Sequence, residues 1–484
     1  MRQTSSKGQD LRRGIVMGNT GSLNASDQPV NARVLVIVQN LPVPLDRRVW
    51  LECQALKASG YDVAVICPKG PGDPDYHEID GIQIHKYDPP PVAEGFSGFA
   101  VEFTYCWFAT ARRAIREWRG QPFDVIQACN PPDTYWALAL PFKLLGARFV
   151  FDQHDLNPEL FLSRFGEPTT LAGKAQLGGL RWLERMTYRT ADHVISTNES
   201  YARIARERGQ KTADQVTVVR SGPNTSTMRP VVSDVMPQFN GKHVLAYLGI
   251  MGPQDGVDLV LTAMDLIVHK HARTDVHVVL MGFGDCLEDL KKQATELNLD
   301  EFVTFTGRVT PPEIADYLSV AEVGLCPDPK NPLNDISTMN KTMEYMSYAL
   351  PVVSFDLHET RYSAKDCAIY VESGDIEGFA QATIDLIDNP ERRAELGVIA
   401  RQRVSAELDW EPQSRAYISV FDRLFGVARQ YSTTWPGVDR RKSDIGSGAD
   451  AKGRRRINLR DSQAVRRFAS ERHDHAKVLE DLRD

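Results

Sequence analysis

NDISTMNKTMEYMSYALPVVSF, residues 334–355, moves from turn residues through a helical pattern into a β-branched run that opens at Pro351. Asp335, Ser337 and Thr338 are residue types that cap helices, and Met339, Met343 and Met346 recur at the spacing of one helical face. PVVSF has the length and composition of a buried strand. The segment predicts a helix whose methionines pack on a sheet and which hands the chain directly to a strand of that sheet. Lys341 and Glu344 then share another face one turn apart, as a surface ion pair or as two ligand groups.

The same alternation extends in both directions. Before the Pro-rich polar stretch PVVSDVMPQFNG (230–241) come RVLVIV (33–38), DVAVI (62–66), DVIQ (124–127), RFVF (148–151) and HVIS (193–196). After it come HVLAYL (243–248), VHVVL (276–280), FVTF (302–305), VGLC (323–326) and PVVSF (351–355). Strands joined by helical crossovers form parallel sheets. The chain therefore predicts two doubly wound, Rossmann-like α/β domains joined near residue 235, with ligands beyond the carboxyl ends of the strands.

With 484 residues, 42% of them hydrophobic, the chain is long enough for two ordinary cores. A net charge of −7 argues against bulk attraction to nucleic acid, so an anionic ligand has to be held by local groups. The seven cysteines are scattered and never spaced as CxxC, which fits reduced thiols better than a zinc ribbon or a disulfide framework. Residues 1–30 are polar and lack the apolar stretch of a secretory signal; with the charged stretch 429–484 they read as flexible tails. No run approaches the ~18 apolar residues that span a bilayer, and the expected location is the cytoplasm.

Several segments form an ordered series: DRRVWLECQALKASGYDVAVICP (46–68), DVIQACNPPDT (124–134), FDQHDLNPELF (151–161), ADHVISTNES (191–200) and VVRSGP (218–223). YLGIMGPQDGVD (247–258), MGFGD (281–285), FTGRV (305–309), CPDPKNPLNDISTMNK (326–341) and Glu344 with YMSYALPVVSFD continue it. Over residues 31–428 this series resembles glycosyltransferase family 4, the retaining glycosyltransferases of GT-B fold. It looks closest to the bacterial branch that builds O-antigen, capsule or exopolysaccharide. The resemblance implies an acceptor-side domain over 31–229, a linker over 230–241, a nucleotide-sugar domain over 242–408, and a helix over 409–428 packing back toward the first domain. It also implies a UDP-linked hexosyl or N-acetylhexosaminyl donor as substrate, with no cofactor and no metal. The implied acceptor is a polyprenyl-diphosphate-linked sugar, reached by peripheral contact with the inner face of the cell membrane.

Carried over by position, Glu344 bonds the nucleotide ribose, and Thr338, Met339 and Asn340 meet the sugar and pyrophosphate. Two departures stand out. The position where many members carry a first glutamate is Ile336, which makes Asp335 the candidate for the sugar-contacting acid. Where many members place an Arg and a Lys after the first strand of the second domain, this chain has Ile250 and Asp255. Lys341 then becomes the catalytic cation, assisted by Arg220 and Arg308, for which ordinary strand-end solvation is the alternative. Gly249 and Gly252 lie where backbone must approach the diphosphate, whereas GFGD (282–285) is explained as well by a tight strand-to-helix turn.

On the acceptor side, the resemblance puts His154 at a strand end facing the cleft, with Asp155 and Glu159 as neighbours. Asp133 of NPPD is a further acceptor-side candidate, against a turn-capping role. FAVEFTYCWFATARRAIREW (99–118) reads as an aromatic helix ending in Arg112, Arg113 and Arg116, either a core helix with a solvated end or a membrane-surface face. Two other functions share the architecture: a nucleotide-sugar 2-epimerase with different cleft acids, and a non-catalytic polysaccharide-assembly protein.

Overall fold

The computed structural model describes residues 32–429 apart from 91–94, 232, 234 and 235. The stretches expected to be tails, 1–30 and all but the first residue of 429–484, lie outside the described residues.

The first domain holds strands β1 (Arg33–Ile37), β2 (Asp62–Pro68), β3 (Tyr76–Ile79), β4 (Ile82–Tyr87), β5 (Val125–Cys129), β6 (Arg148–Gln153), β7 (His193–Ser196) and β8 (Val216–Val218). Its helices are α1 (Arg47–Ala58), α2 (Gly95–Gly120), α3 (Tyr135–Leu144), α4 (Asn157–Phe165), α5 (Leu171–Thr190) and α6 (Glu199–Glu207). The strands form one sheet in the order β3-β4-β2-β1-β5-β6-β7-β8, parallel except for the β3–β4 hairpin. Every residue of β1 is buried, as expected of a strand covered on both faces. Val34 and Val36 point into one core and Leu35 and Ile37 into the other.

The second domain holds β9 (His243–Leu248), β10 (Val276–Met281), β11 (Val303–Gly307), β12 (Val323–Cys326), β13 (Val352–Phe355) and β14 (Ala368–Val371). Its helices are α7 (Val257–Asp265), α8 (Leu287–Glu296), α9 (Pro311–Val320), α10 (Asn340–Ser347), α11 (His358–Ala364), α12 (Ile376–Ile387) and α13 (Pro390–Arg403). Strand order is β11-β10-β9-β12-β13-β14, and the pairs are parallel. A last helix, α14 (Trp410–Phe425), leaves this domain and inserts Trp410, Tyr417, Ile418 and Phe421 into the core of the first. It is fastened there by Tyr417 Oη donating to Gln127 at 2.6 Å and Tyr61 Oη donating to Asp422 at 2.7 Å.

These are the two doubly wound α/β domains expected from the alternation of strands and helices, in the GT-B architecture that the resemblance implies. Strand order reverses between β1 and β5 in the first sheet and between β9 and β12 in the second, and a crevice opens beyond the carboxyl ends at each reversal. The loops there are 38–46 and 130–134 in one domain, and 249–256 and 327–339 in the other.

The opening segment folds differently from its expected capping. Asn334–Ile336 is a single 3₁₀ turn, and α10 starts only at Asn340 with Met339 as its cap and no side-chain capping bond. Asp335, Ser337 and Thr338 are committed elsewhere: the Asp335 carboxylate accepts the His358 backbone N–H at 2.9 Å, and Ser337 donates to the Leu333 carbonyl at 2.7 Å. Thr338 accepts from Asn198 at 3.0 Å. Met343 and Met346 lie in the core, while Met339 is only partly buried.

Candidate active site

α10 is buried along its length from Lys341 onward, so neither Lys341 nor Glu344 is a surface residue. Glu344 faces the first domain, where its Oε1 lies 2.5 Å from Nη2 of Arg47, the first residue of α1. The two reversal crevices therefore face each other and are joined by an ion pair. The Glu344 carboxylate holds the Arg47 guanidinium above its ordinary pKa.

Lys341 points the other way. Its side chain is 8% exposed, and the ammonium lies 2.6 Å from Asp328 Oδ1 and 5.0 Å from the centre of the Tyr247 ring. Burial opposes its charge, but Asp328, Tyr247 and Asp255 keep its pKa well above the ordinary value. Asp255 Oδ2 accepts the Gly252 N–H at 3.0 Å, and burial pushes this carboxyl up to about 6 against the pull of Lys341. One lysine thus ties the loops after β9 and β12 together, directly under Gly249, where a Cβ would stand 3.2 Å from Lys341 Cε. The glycines of GFGD have a packing reason: a Cβ at Gly282 or Gly284 would collide with the backbone of Gly249 or Met251. The two loops lie backbone to backbone, with the Met251 N–H donating to Phe283 O at 2.9 Å.

The segment ahead of α10 is clasped from the first domain. Asn198, at the start of α6, donates to Ile336 O at 2.9 Å and to Thr338, and Tyr201 and Ser337 hydroxyls lie 2.8 Å apart. Arg220 is buried over the Tyr362 ring, with Nη1 3.2 Å from Glu359 and 3.4 Å from Thr338. Arg308 is exposed and stacks on Phe283 with its guanidinium 4.3 Å from the ring centre. Asp335 also pairs with Lys330 at 3.3 Å. Asn340 is exposed at the first position of α10.

Beneath the first domain's crevice lies a polar cluster. His154 Nε2 is 2.7 Å from Asp152 Oδ2 and 3.1 Å from Arg48 Nε. Burial disfavours charge on Asp152, but Arg48 and His154 hold its carboxyl well below the usual range. A guanidinium cannot accept a hydrogen bond. Nε2 either donates to Asp152 or, in the other tautomer, accepts from Arg48 Nε, and in both cases Nδ1 is the nitrogen left for a ligand. Arg48 also pairs with Glu52 at 3.0 Å and donates to Val219 O at 2.9 Å. Glu52, Cys129, Asp152 and His154 bring one potential metal-binding atom each within 4.8 Å of one another. That charge is already met by the Arg48 guanidinium, 2.9 Å from Asp152.

The other acceptor-side candidates are anchors in this arrangement. Asp133 is buried, accepts from Asn130 at 3.0 Å and Asn157 at 2.6 Å, and is pushed up to about 6 by that burial. Glu159 takes a two-pronged bond from Arg208 at 2.7 and 3.0 Å. Asp155 is partly buried, which raises its pKa, and its backbone N–H donates to Asn130 at 3.1 Å.

Arg47, Arg48, Asp152, Asn198 and Asp328 carry contacts that sequence reasoning did not single out. One signal was available for the arginines. Two cations in the first turn of a helix oppose the helix dipole, and such residues need partners of their own.

Residues 45–222 match the family model described as Glycosyl transferase 4-like domain, and residues 242–389 the model described as Glycosyl transferases group 1. The chain is a glycosyltransferase of the family-4 type. Spore coat protein SA of Bacillus subtilis (strain 168) is 21% identical over 409 residues, covering 80% of this chain and 98% of that one. Among solved structures, sucrose-phosphate synthase from Thermosynechococcus elongatus superposes with a TM-score of 0.67 at 19% identity, over 82% of this chain and all of that one. Anabaena Alr3699/HepE in complex with UDP and glucose does so at 0.61 and 14% identity, over 81% of this chain and 100% of that one.

Proposed function

We propose that the protein is a retaining glycosyltransferase that moves a hexosyl or N-acetylhexosaminyl group from a UDP-linked donor to a lipid-linked or polysaccharide acceptor in bacterial polysaccharide synthesis. The observation that carries this reading is the facing of the two crevices, with Glu344 at the end of one and His154 at the end of the other. The complex of Alr3699/HepE with UDP and glucose favours a uridine donor.

In this reading the Glu344 carboxylate accepts the ribose hydroxyls, and Met339 and Asn340 meet the diphosphate with backbone N–H groups, while Gly249 and Gly252, whose own N–H groups are held by Met281 O and Asp255, let the backbone come close to it. Asp335 contacts the sugar. Lys341, already neutralised by Asp328, fastens the donor loops and acts on the diphosphate only through them. His154, oriented by Asp152, presents Nδ1 to the reacting sugar or acceptor. Arg220 holds the domain junction, and Arg308 with Phe283 flanks the base. The departing phosphate assists removal of the acceptor proton, and no metal takes part.

Among the described residues no helix is long and apolar enough to cross a membrane. The outer face of α2 favours peripheral contact from the cytoplasmic side. Val101, Tyr105, Phe108 and Ile115 are 51%, 37%, 64% and 43% exposed, and Arg112, Arg116 and Arg119 continue the same stripe. Such a helix lies in a lipid interface with its cations at anionic headgroups, bringing the cleft to a polyprenyl-linked acceptor.

The test is incubation of the purified protein with a panel of nucleotide diphosphate sugars and a lipid extract from a polysaccharide-producing bacterium. Release of UDP with a lipid-linked product of retained anomeric configuration is expected. Conversion of the UDP-sugar to its 2-epimer, or no turnover with any donor, would overturn the reading.

A further inference from the structure

We propose that Arg47, from the first domain, is the cation that binds the donor diphosphate, and that its pairing with Glu344 is the resting arrangement of the empty cleft. The inference rests on the nucleotide-sugar reading above. It starts from a deficit of charge. The donor loop carries Ile250, 50% exposed, and Asp255, whose carboxyl faces back into that loop. The Lys341 ammonium is matched by Asp328 at 2.6 Å, and the Arg220 guanidinium by Glu359 at 3.2 Å. Two negative phosphates entering this crevice would meet Lys341 and Arg220 already paired, and Arg308 turned onto the Phe283 ring at 4.3 Å.

Arg47 is placed to supply the missing charge. Its side chain is 51% exposed, and its ion-pair partner is one carboxylate, that of Glu344, at 2.5 Å, with weaker attraction from Tyr348 and Asp46. A guanidinium has five donors in a planar fork that matches phosphate oxygens two at a time, so one carboxylate contact leaves most of that capacity unused. The partner matters as much. Glu344 is the group assigned to the ribose, and ribose hydroxyls are donors that compete with the guanidinium for the same oxygens. Donor entry then exchanges partners without stranding a charge: Glu344 passes from Arg47 to the ribose, and Arg47 passes from Glu344 to the phosphates next along the same ligand. Arg48 beside it cannot do this, because it is buried against Glu52, Asp152 and the Val219 carbonyl.

The experiment is calorimetric titration of the full chain with UDP and with uridine, for wild type, Arg47→Ala and Arg47→Lys. Arg47→Ala is expected to weaken UDP binding at least tenfold while leaving uridine binding unchanged or tighter, since Glu344 is released. Arg47→Lys should lie between, keeping the charge and losing the fork. Thermal melting and tryptophan emission establish that each variant is folded, and Arg47→Lys carries the test if Arg47→Ala is not. Equal losses for UDP and uridine would make Arg47 a merely structural contact, and tightening of both would make it only a competitor for Glu344; either overturns the proposal. Wild type binding neither UDP nor uridine would overturn the donor reading itself, and the proposal with it.

Discussion

Asp152→Asn isolates the polar cluster under the first domain's crevice. The wild-type carboxylate is fully buried and takes charge-assisted bonds from Arg48 at 2.9 Å and His154 at 2.7 Å. Asparagine keeps one acceptor oxygen but puts an amide N–H among donors. A bond to a charged group contributes about 1.5–3 kcal/mol, and stripping one partner from a buried ion pair costs roughly 3–5 kcal/mol. Glu52, 3.0 Å from Arg48, limits the damage by remaining as a partial partner. The expected loss is about 3 kcal/mol, near the low end of that range. The tryptophans make it readable: Trp50, Trp107, Trp118, Trp136 and Trp182 belong to the first domain and Trp410 packs into it, so among the described residues indole emission follows that domain alone. With a urea slope of about 2–3 kcal/mol per molar, the midpoint should fall by roughly 1 M. Because the Asp152 pKa is depressed on folding, its stabilisation is complete above the unfolded value near ~4 and is lost as pH falls below it. The gap between variant and wild type should therefore hold from pH 8 to 5 and narrow in acid. A midpoint shift below about 0.3 M at pH 7 would refute the view that this carboxylate anchors Arg48 and His154.

Lys341→Met leaves the buried Asp328 without its cation and should destabilise the second domain by about 3–5 kcal/mol in calorimetric melting; an unchanged melt with a fall in kcat would return Lys341 to direct contact with the diphosphate. Asp255, raised to about 6 by burial, binds its proton more tightly folded than unfolded. The second domain should therefore lose stability as pH climbs from ~4 through 6, and Asp255→Asn should melt higher than wild type at pH 8 by an amount that shrinks below pH 6. Charge reversal by Arg112→Glu with Arg116→Glu should weaken sedimentation with vesicles rich in anionic lipid at least tenfold, each arginine contributing about 1 kcal/mol near such a surface; undiminished sedimentation would remove α2 from membrane contact. Excess EDTA should leave sugar transfer intact, and loss of turnover restored by magnesium or manganese would contradict metal-free chemistry.

The fold was legible because its core strands are short, β-branched and buried on both faces. The hairpin of β3 and β4 is not among the strands that the pattern marks, although Asp80-Gly81 joins them with φ of 52° and 73°, the dipeptide suited to such a turn. Its first strand is largely exposed, so hydrophobic pattern had little to mark. The helix carrying Lys341 and Glu344 was also readable, but its start was not. Cap-forming side chains at 335–338 are drawn away by partners that local sequence does not contain, such as Asn198, 140 positions from Thr338. For the same reason the sequence offers Lys341 and Glu344 as a pair, whereas the folded chain gives each a different partner. Contacts between domains set those partnerships, and spacing along one helix carries no record of them.

The return of α14 to the first domain has a consequence for how the protein is made. Trp410, Tyr417, Ile418 and Phe421 complete a core whose last member before the second domain is Val219. At roughly 5–20 residues per second a ribosome needs on the order of 10–40 s to deliver the intervening two hundred residues. Through that interval the first domain waits with an open apolar seam beside α1, while the second domain, contiguous in sequence, already has everything it needs to fold. The half synthesised first is thus finished last, and its unfilled seam is the surface a chaperone would meet on the nascent chain.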